Sequence, residues 1–323
     1  MQSWPKVNVL PRLFPLLTSW YTKHGLLPTK TTHWSSPTIL GFRNATPVAR
    51  IETERLKLSD NSITSFLELA ANERFCVELL GSWSREIVES FNCANKLNVH
   101  NRERFLDAWK DRSRPLITVS NHRCNIDDPL MWAFITWREM WENIDRHRYI
   151  LAAHNICFTK KWHIMFFALG RCVPCVRGKG VYQKGMDFCV DRLNENGWVH
   201  MFPEGRVSVD ALRFKWGVGR LIMETVIPPL VIPIWCINID KVWSEKPPYY
   251  PRFGHNVEIY IGQPIDSKFL RKTCFEKTWS DVKSRKFVTD FIQNELFELG
   301  EAVGSLPKGT AQRILRENIN GKL

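Results

Sequence analysis

The chain is expected to fold as an α/β domain, a sheet of short strands flanked by helices, and three observations lead there. From about residue 100 onward, short apolar runs alternate with longer segments of helical periodicity. Hydrophobic residues make up 44% of the 323 positions and charged residues 24%, the proportions of a packed globular core. No run of 18 or more apolar residues occurs, so these segments read as core elements and not as a membrane-spanning helix.

The strands follow in order as Leu116–Ser120, Tyr149–Ala153, Cys172–Val176, Trp198–Phe202, Leu230–Ile237 and Val257–Ile261. Each is an apolar run of five to eight residues, the length of a strand. Helical spacing predicts Pro129–Trp141, Phe158–Leu169, Tyr182–Asn194 and Phe214–Thr225 between them, with Gly197 beyond the third as a stop. Strands alternating with helices of this length place helices on the faces of a sheet. This core is assigned to residues 99–265, and residues 266–323 form a C-terminal helical segment of mixed charge.

Two segments precede the core. Residues 1–50 contain six basic residues, no acidic one and many Ser and Thr, the composition of an organellar transit peptide and equally of a basic tail. Residues 51–98 hold an amphipathic stretch in which Phe66, Leu69, Phe75, Leu79, Trp83 and Ile87 recur at helical spacing. Such a stretch suits a membrane surface as well as a protein core. The formal charge is +12, half of it within residues 1–50, so the remainder makes a weak case for nucleic acid and a better one for an anionic lipid or a phosphorylated substrate. Nine scattered cysteines indicate no disulfide framework, and Cys172-x-x-Cys175 lacks the further ligands a zinc site needs.

Two loops carry chemistry. In Ser120-Asn121-His122-Arg123-Cys124-Asn125-Ile126-Asp127-Asp128-Pro129, a strand ends just before His122, where α/β sheets place ligands. Asp127, five residues on at a helix start, can fold back so that its carboxylate meets one imidazole nitrogen and leaves the other to take a proton. A capping Asp beside an ordinary loop His has the same spacing. The second loop is Phe202-Pro203-Glu204-Gly205-Arg206, where Pro and Gly set a tight turn and Glu204 is expected at its tip, able to hold a substrate hydroxyl or an Arg. A plain strand-to-helix turn has that composition too. No G-x-S-x-G occurs, and Gly217-Val218-Gly219 lacks the spacing of a phosphate loop. A His–Asp pair without a protein nucleophile suggests that the substrate supplies the nucleophile.

Taken together the two loops resemble the N-H-x4-D and F-P-E-G signatures of the glycerolipid acyltransferase superfamily. Asn121-His122 through Asp127 stands for the first and Phe202–Gly205 for the other. Gly170–Arg177 resembles a further motif, a strand ending in an Arg that binds glycerol phosphate, and Val231-Ile232-Pro233 a strand with a central Pro. Arg206-Val207 departs from the Thr-Arg that many members carry after F-P-E-G. The resemblance implies a mixed sheet, monotopic membrane association, His122 and Asp127 as catalytic residues, and no metal or cofactor. It also implies substrate contacts by Asn121, Arg177, Glu204, Gly205 and Lys215, with Arg177 on the head-group phosphate and Lys215 a second candidate.

Within the superfamily, Val99–Glu103, Val181–Phe188, Leu212–Gly217 and Pro247–Gly254 are similar to the cardiolipin-remodelling branch. That likeness implies a CoA-independent transacylase acting on phospholipids and lysophospholipids, including cardiolipin and monolysocardiolipin. It implies a mitochondrial protein on the intermembrane-space side of the outer and inner membranes. The fourteen Trp suit an interfacial protein and a core alike. An acyl-CoA-dependent lysophospholipid acyltransferase shares the same motifs. A basic membrane-binding module without turnover is the alternative of another class.

Overall fold

A computed structural model describes residues 95–159, 167, 170–243 and 250–319, all within the unit 44–323. The transit-like segment 1–50, most of the amphipathic stretch 51–98 and most of the expected helix Phe158–Leu169 lie outside the described residues. In chain order the elements are β1 (Lys96–His100), α1 (Arg102–Lys110), β2 (Leu116–Ser120), α2 (Asp127–Leu130), α3 (Trp137–Glu142), β3 (Tyr149–Ala153), α4 (His154–Cys157) and β4 (Cys172–Cys175). They continue with α5 (Lys184–Asn194), β5 (Trp198–Met201), α6 (Gly217–Glu224), β6 (Leu230–Ile237), α7 (Ile239–Val242), β7 (Asn256–Ile261), β8 (Ile265–Asp266), α8 (Ser267–Glu276), α9 (Asp281–Ala302) and α10 (Thr310–Ile319).

The strands form one mixed sheet in the order β1-β7-β6-β2-β5-β3-β4, with β8 also pairing β6. Strands β6, β2, β5, β3 and β4 run parallel, while β7 runs against β6 and carries β1 with it. Central β2 is buried at every position, as a Leu-Ile-Thr-Val-Ser run between two neighbours should be. Successive residues of β2 and β6 feed opposite faces. Ile117, Val119, Val231 and Trp235 pack with α5, α6, α8 and α9; Leu116, Ile232, Ile234 and Cys236 pack with α1 and the stretch through Trp132. The helices after residue 266 therefore complete one face of the core through Leu270, Val288, Ile292, Leu296 and Phe297.

Pro233 sits inside β6, where a missing N–H would ordinarily break a ladder. On that side of β6 the partner changes: β8 pairs at Leu230 and Val231, and β7 resumes at Ile234. Gly262, between them, donates to the Pro233 carbonyl at 2.8 Å, and a Cβ there would meet Pro233 Cγ at 2.6 Å.

Two expectations are corrected. Lys96–Asn98, the last residues of the helical stretch and outside the assigned core, form the start of β1, which pairs with β7. The pairing partner lies some 160 residues away, and the short Leu97/Val99 alternation gave little local signal. Pro129–Trp141 is two helices and not one, because Thr136 and Glu139 form a capping box that begins α3 afresh.

Candidate active site

The carboxyl ends of the parallel strands share one edge of the sheet, and β2 delivers its loop to the middle of it. Asn121 anchors that loop. Its amide nitrogen donates to the Cys236 carbonyl at 2.8 Å and its oxygen accepts from the Cys236 N–H at 2.8 Å. Asn121 was expected among the substrate contacts; its amide is instead spent on the backbone of β6, and it is buried.

Beyond Asn121 the chain wraps around one carboxylate. Asp127 accepts from the N–H groups of Arg123, at 2.5 Å, and Cys124, at 3.0 Å, and its side chain is 1% exposed. With its orientation set, its Oδ2 stands 2.9 Å from His122 Nδ1. The fold-back predicted from the five-residue spacing is thus present. The carboxylate assigns the proton to Nδ1, which leaves Nε2 with a lone pair and, among the described residues, no hydrogen-bond partner. His122 keeps 20% of its side chain exposed, enough for a ligand to reach it.

The face of the imidazole is supported as well. Phe202 stacks on His122 with centroids 4.1 Å apart and planes 15° apart. His200 meets Phe202 edge-on at 4.6 Å, and its Nδ1 lies 2.8 Å from the Thr118 hydroxyl, which also accepts from Trp198 Nε1. Burial pushes the His200 imidazolium down to about 3, with Arg148 and His122 adding to it and Asp128 opposing, so His200 is neutral at physiological pH. Behind it Asp128 pairs with the Arg148 guanidinium and accepts from Trp132 Nε1 at 2.7 Å. Burial raises the Asp128 carboxyl, but the Arg148 charge and hydrogen bonds outweigh it and hold the group below its usual range. Sequence reasoning assigned no part in the site to Phe202 or His200 and read Asp128 only as a possible helix cap, although Phe202 and Asp128 lie within the quoted motifs.

The turn after β5 lies beside this loop because β5 is the neighbour of β2. Glu204 is not presented at its tip: the residue is 2% exposed, and no hydrogen bond of normal geometry reaches either carboxylate oxygen. Burial pushes its carboxyl up to about 8, opposed by the Arg123 charge and by the facing N–H groups of His122 and Leu212. Arg123 is fixed by the carbonyls of Ser208, at 2.8 Å, and Val209, and lies 5.3 Å from the Trp235 ring. Gly205 adopts φ +73°, and a Cβ there would meet Lys215 Cγ at 3.3 Å. Lys215 is exposed and ties its N–H to Pro203 O at 2.7 Å.

His122, Asp127, Glu204, Gly205 and Lys215 are therefore gathered on two adjacent loops. Arg177 is not. It is exposed beyond β4, three strands from β2 and roughly 14 Å across the sheet at the usual strand spacing. Cys172 and Cys175, first and last in β4, are three residues apart and so face opposite sides of the sheet.

A histidine oriented by an aspartate at the carboxyl edge of a mixed sheet, beside an F-P-E-G turn from the next strand, marks the glycerolipid acyltransferase class. The Acyltransferase family accordingly matches residues 96–237. Tafazzin of Drosophila melanogaster is 36% identical over 230 residues, 70% of this chain and 60% of that protein. Taffazin of Dictyostelium discoideum is 42% identical over 166 residues, 50% of this chain and 58% of that protein. The N-acylphosphatidylethanolamine synthase of Arabidopsis thaliana is 32% identical over 245 residues, 72% of this chain and 83% of that protein. The chain belongs to the glycerolipid acyltransferase family that it shares with the Arabidopsis protein, and its likeness extends to the tafazzins. It spans about 60% of the length of the first two relatives.

Proposed function

We propose that the chain is a phospholipid–lysophospholipid transacylase with His122 as general base and Asp127 as the group that orients it. The observation that carries this reading is the His122 Nδ1–Asp127 hydrogen bond, which leaves Nε2 without a partner among the described residues on a side chain that is 20% exposed. Nε2 removes the proton from the free hydroxyl of a lysolipid, and the alkoxide attacks the ester carbonyl of a donor phospholipid. The tetrahedral intermediate collapses with loss of the donor's alkoxide, which takes the proton back from the imidazolium. One ester forms and one breaks, so no external energy source is required. A positioned base of this kind contributes roughly 10²–10⁴ in rate. The Gly205 N–H is spent on Phe202 O at 3.0 Å, so the oxyanion falls to the next amide, Arg206 N–H, which has no partner among the described residues.

Lys215 on the Gly205 turn is the nearer cation for a head-group phosphate. Arg177 reaches the same lipid only through the combined length of its side chain and the head group. Glu204, buried and protonated below about pH 8, contacts substrate only as a neutral donor at the base of the site. The likeness of Val99–Glu103, Val181–Phe188, Leu212–Gly217 and Pro247–Gly254 to the cardiolipin-remodelling branch is what supports the finer reading, a CoA-independent exchange that remodels cardiolipin on the intermembrane-space side of mitochondrial membranes. A second reading comes from the Arabidopsis relative, matched over 83% of its own length, whose name specifies acylation of the phosphatidylethanolamine amine. The same base serves an amine acceptor.

The test is acyl exchange in vesicles from labelled phosphatidylcholine to monolysocardiolipin, and separately to phosphatidylethanolamine, with and without acyl-CoA, for the wild type and His122→Ala. Transfer to monolysocardiolipin without CoA that is lost in His122→Ala is the expected result. Product only with phosphatidylethanolamine selects the amine reading, and product only with acyl-CoA the CoA-dependent one. Wild-type vesicle binding without any transfer selects the non-catalytic module. A folded His122→Ala that keeps near-wild-type transfer removes His122 as the base.

A further inference from the structure

The two edges of the sheet differ in charge. The carboxyl edge is formed by the stretches after β2 to β6 and, because β7 is antiparallel to β6, by the stretch before β7. Along it Arg177, Lys179, Arg206, Lys215 and Lys241 are exposed, and Asp210 is the one exposed acid among the described residues of those stretches. The opposite edge is formed by the stretches 111–115, 143–148, 195–197, 225–229 and 262–266. There Asp111, Asp145, Glu195 and Asp266 are exposed, but Arg112 pairs with Asp145, Arg114 with Asp266 and Arg192 with Glu195, so this edge is close to neutral. The charge is therefore not spread evenly over the described residues.

Apolar side chains share the basic edge. Ile156, Tyr182, Val209, Tyr250 and Phe253 are all exposed there, the last three on stretches that flank the His122 loop in the sheet order. Val209 belongs to the loop whose carbonyls hold Arg123, directly after His122. Exposed apolar residues alone do not single out this edge, since Val226 and Ile227 are exposed on the other. Charge does. A surface with cations around protruding aromatic and aliphatic side chains complements anionic head groups over an acyl interior.

We propose that the strand-carboxyl edge is the docking face for an anionic lipid bilayer, with Lys179 and Lys241 as cations that hold it and Val209, Tyr250 and Phe253 as residues that enter the interface. This rests on the lipid-substrate reading for its purpose. It adds an orientation: Nε2 of His122 faces the membrane, and the opposite, near-neutral edge faces water. Each cation facing an anionic surface strengthens binding about fivefold.

The test compares two variants of the full chain with the same change in net charge. Lys179→Glu/Lys241→Glu alters the carboxyl edge, and Lys110→Glu/Lys268→Glu alters exposed lysines at the opposite end. Among the described residues none of the four lysines forms an ion pair, none belongs to the catalytic loops, and circular dichroism checks the fold of both. Partition is measured onto vesicles of phosphatidylcholine mixed with phosphatidylglycerol and onto phosphatidylcholine alone. The expected result is at least a twentyfold loss on anionic vesicles for Lys179→Glu/Lys241→Glu and less than a threefold loss for Lys110→Glu/Lys268→Glu. Equal losses in both mean that net charge and not this face attracts the membrane. No loss in Lys179→Glu/Lys241→Glu, or no binding by the wild type, equally overturns the proposal. Acyl transfer in uncharged detergent micelles is read in parallel: wild-type transfer there sustains the catalytic reading whatever the vesicles show, and its absence counts against that reading alone.

Discussion

Phe202 lies flat against the imidazole of His122, 4.1 Å between ring centroids, on a side chain that is itself met edge-on by His200. Asp127 grips the same imidazole by its edge. Edge and face together leave the ring little freedom to turn away from substrate, and the phenyl face favours the imidazolium that forms once the base has taken its proton.

Phe202→Leu is therefore expected to lower kcat about tenfold or more while changing KM less than threefold. Phe202→Tyr, which keeps the stacked ring, should recover most of the rate. Steady-state kinetics across pH checks this, and a Leu variant with wild-type kcat would remove the platform role.

Asp127→Asn addresses orientation. The amide keeps at most part of the acceptor capacity that binds Arg123 N–H and Cys124 N–H, and it no longer specifies the Nδ1–H tautomer. Transfer should fall by about 10²–10⁴, with the circular dichroism spectrum unchanged. A loss of less than threefold would mean that the tautomer is set by something other than this carboxylate.

Glu204 makes stability depend on pH. Its folded-state carboxyl is pushed from 4.5 up to about 8, so the folded protein holds a proton that the unfolded chain releases. Stability from this group is complete below about pH 4.5 and is lost as pH rises through about 8, to a total on the order of a few kcal/mol. Glu204→Gln, neutral throughout, should gain melting temperature relative to the wild type between pH 6 and pH 9. Parallel melting curves at both ends of that range would contradict the buried, protonated state.

The Asp128–Arg148 pair bears on folding more than on chemistry. Both groups are nearly buried, so Asp128→Asn leaves Arg148 charged and uncompensated. The expected cost is about 3–5 kcal/mol, a fall in melting temperature of roughly 10 °C. Asp128→Asn/Arg148→Met, which removes both charges, should recover part of it; a double variant worse than the single one would show that the pair itself, and not the stranded charge, is what matters.

Much of this was legible beforehand because it depends on neighbours in sequence. The strands from Leu116–Ser120 to Leu230–Ile237 declare themselves as apolar runs of strand length, and the His122–Asp127 spacing is short enough for a single turn of chain to close it. Lys96–His100 escaped notice because a five-residue edge strand has little pattern of its own, and its partner Asn256–Ile261 is distant. The single helix expected over Pro129–Trp141 failed because Thr136 and Glu139, which cap each other, sit inside the periodic stretch.

The sequence by itself determined the α/β alternation, the two signature loops and the family, since each is written in local periodicity and in fixed spacings between a few residues. Tertiary structure decided the rest. It reversed β7 to make the sheet mixed, spent Asn121 on the backbone of β6 and buried Glu204 until its carboxyl holds a proton. It also laid Phe202 against His122 and gathered exposed cations along one edge of the sheet. Burial, pairing and electrostatic environment are set by which distant segments come together, and spacing along the chain carries no record of that.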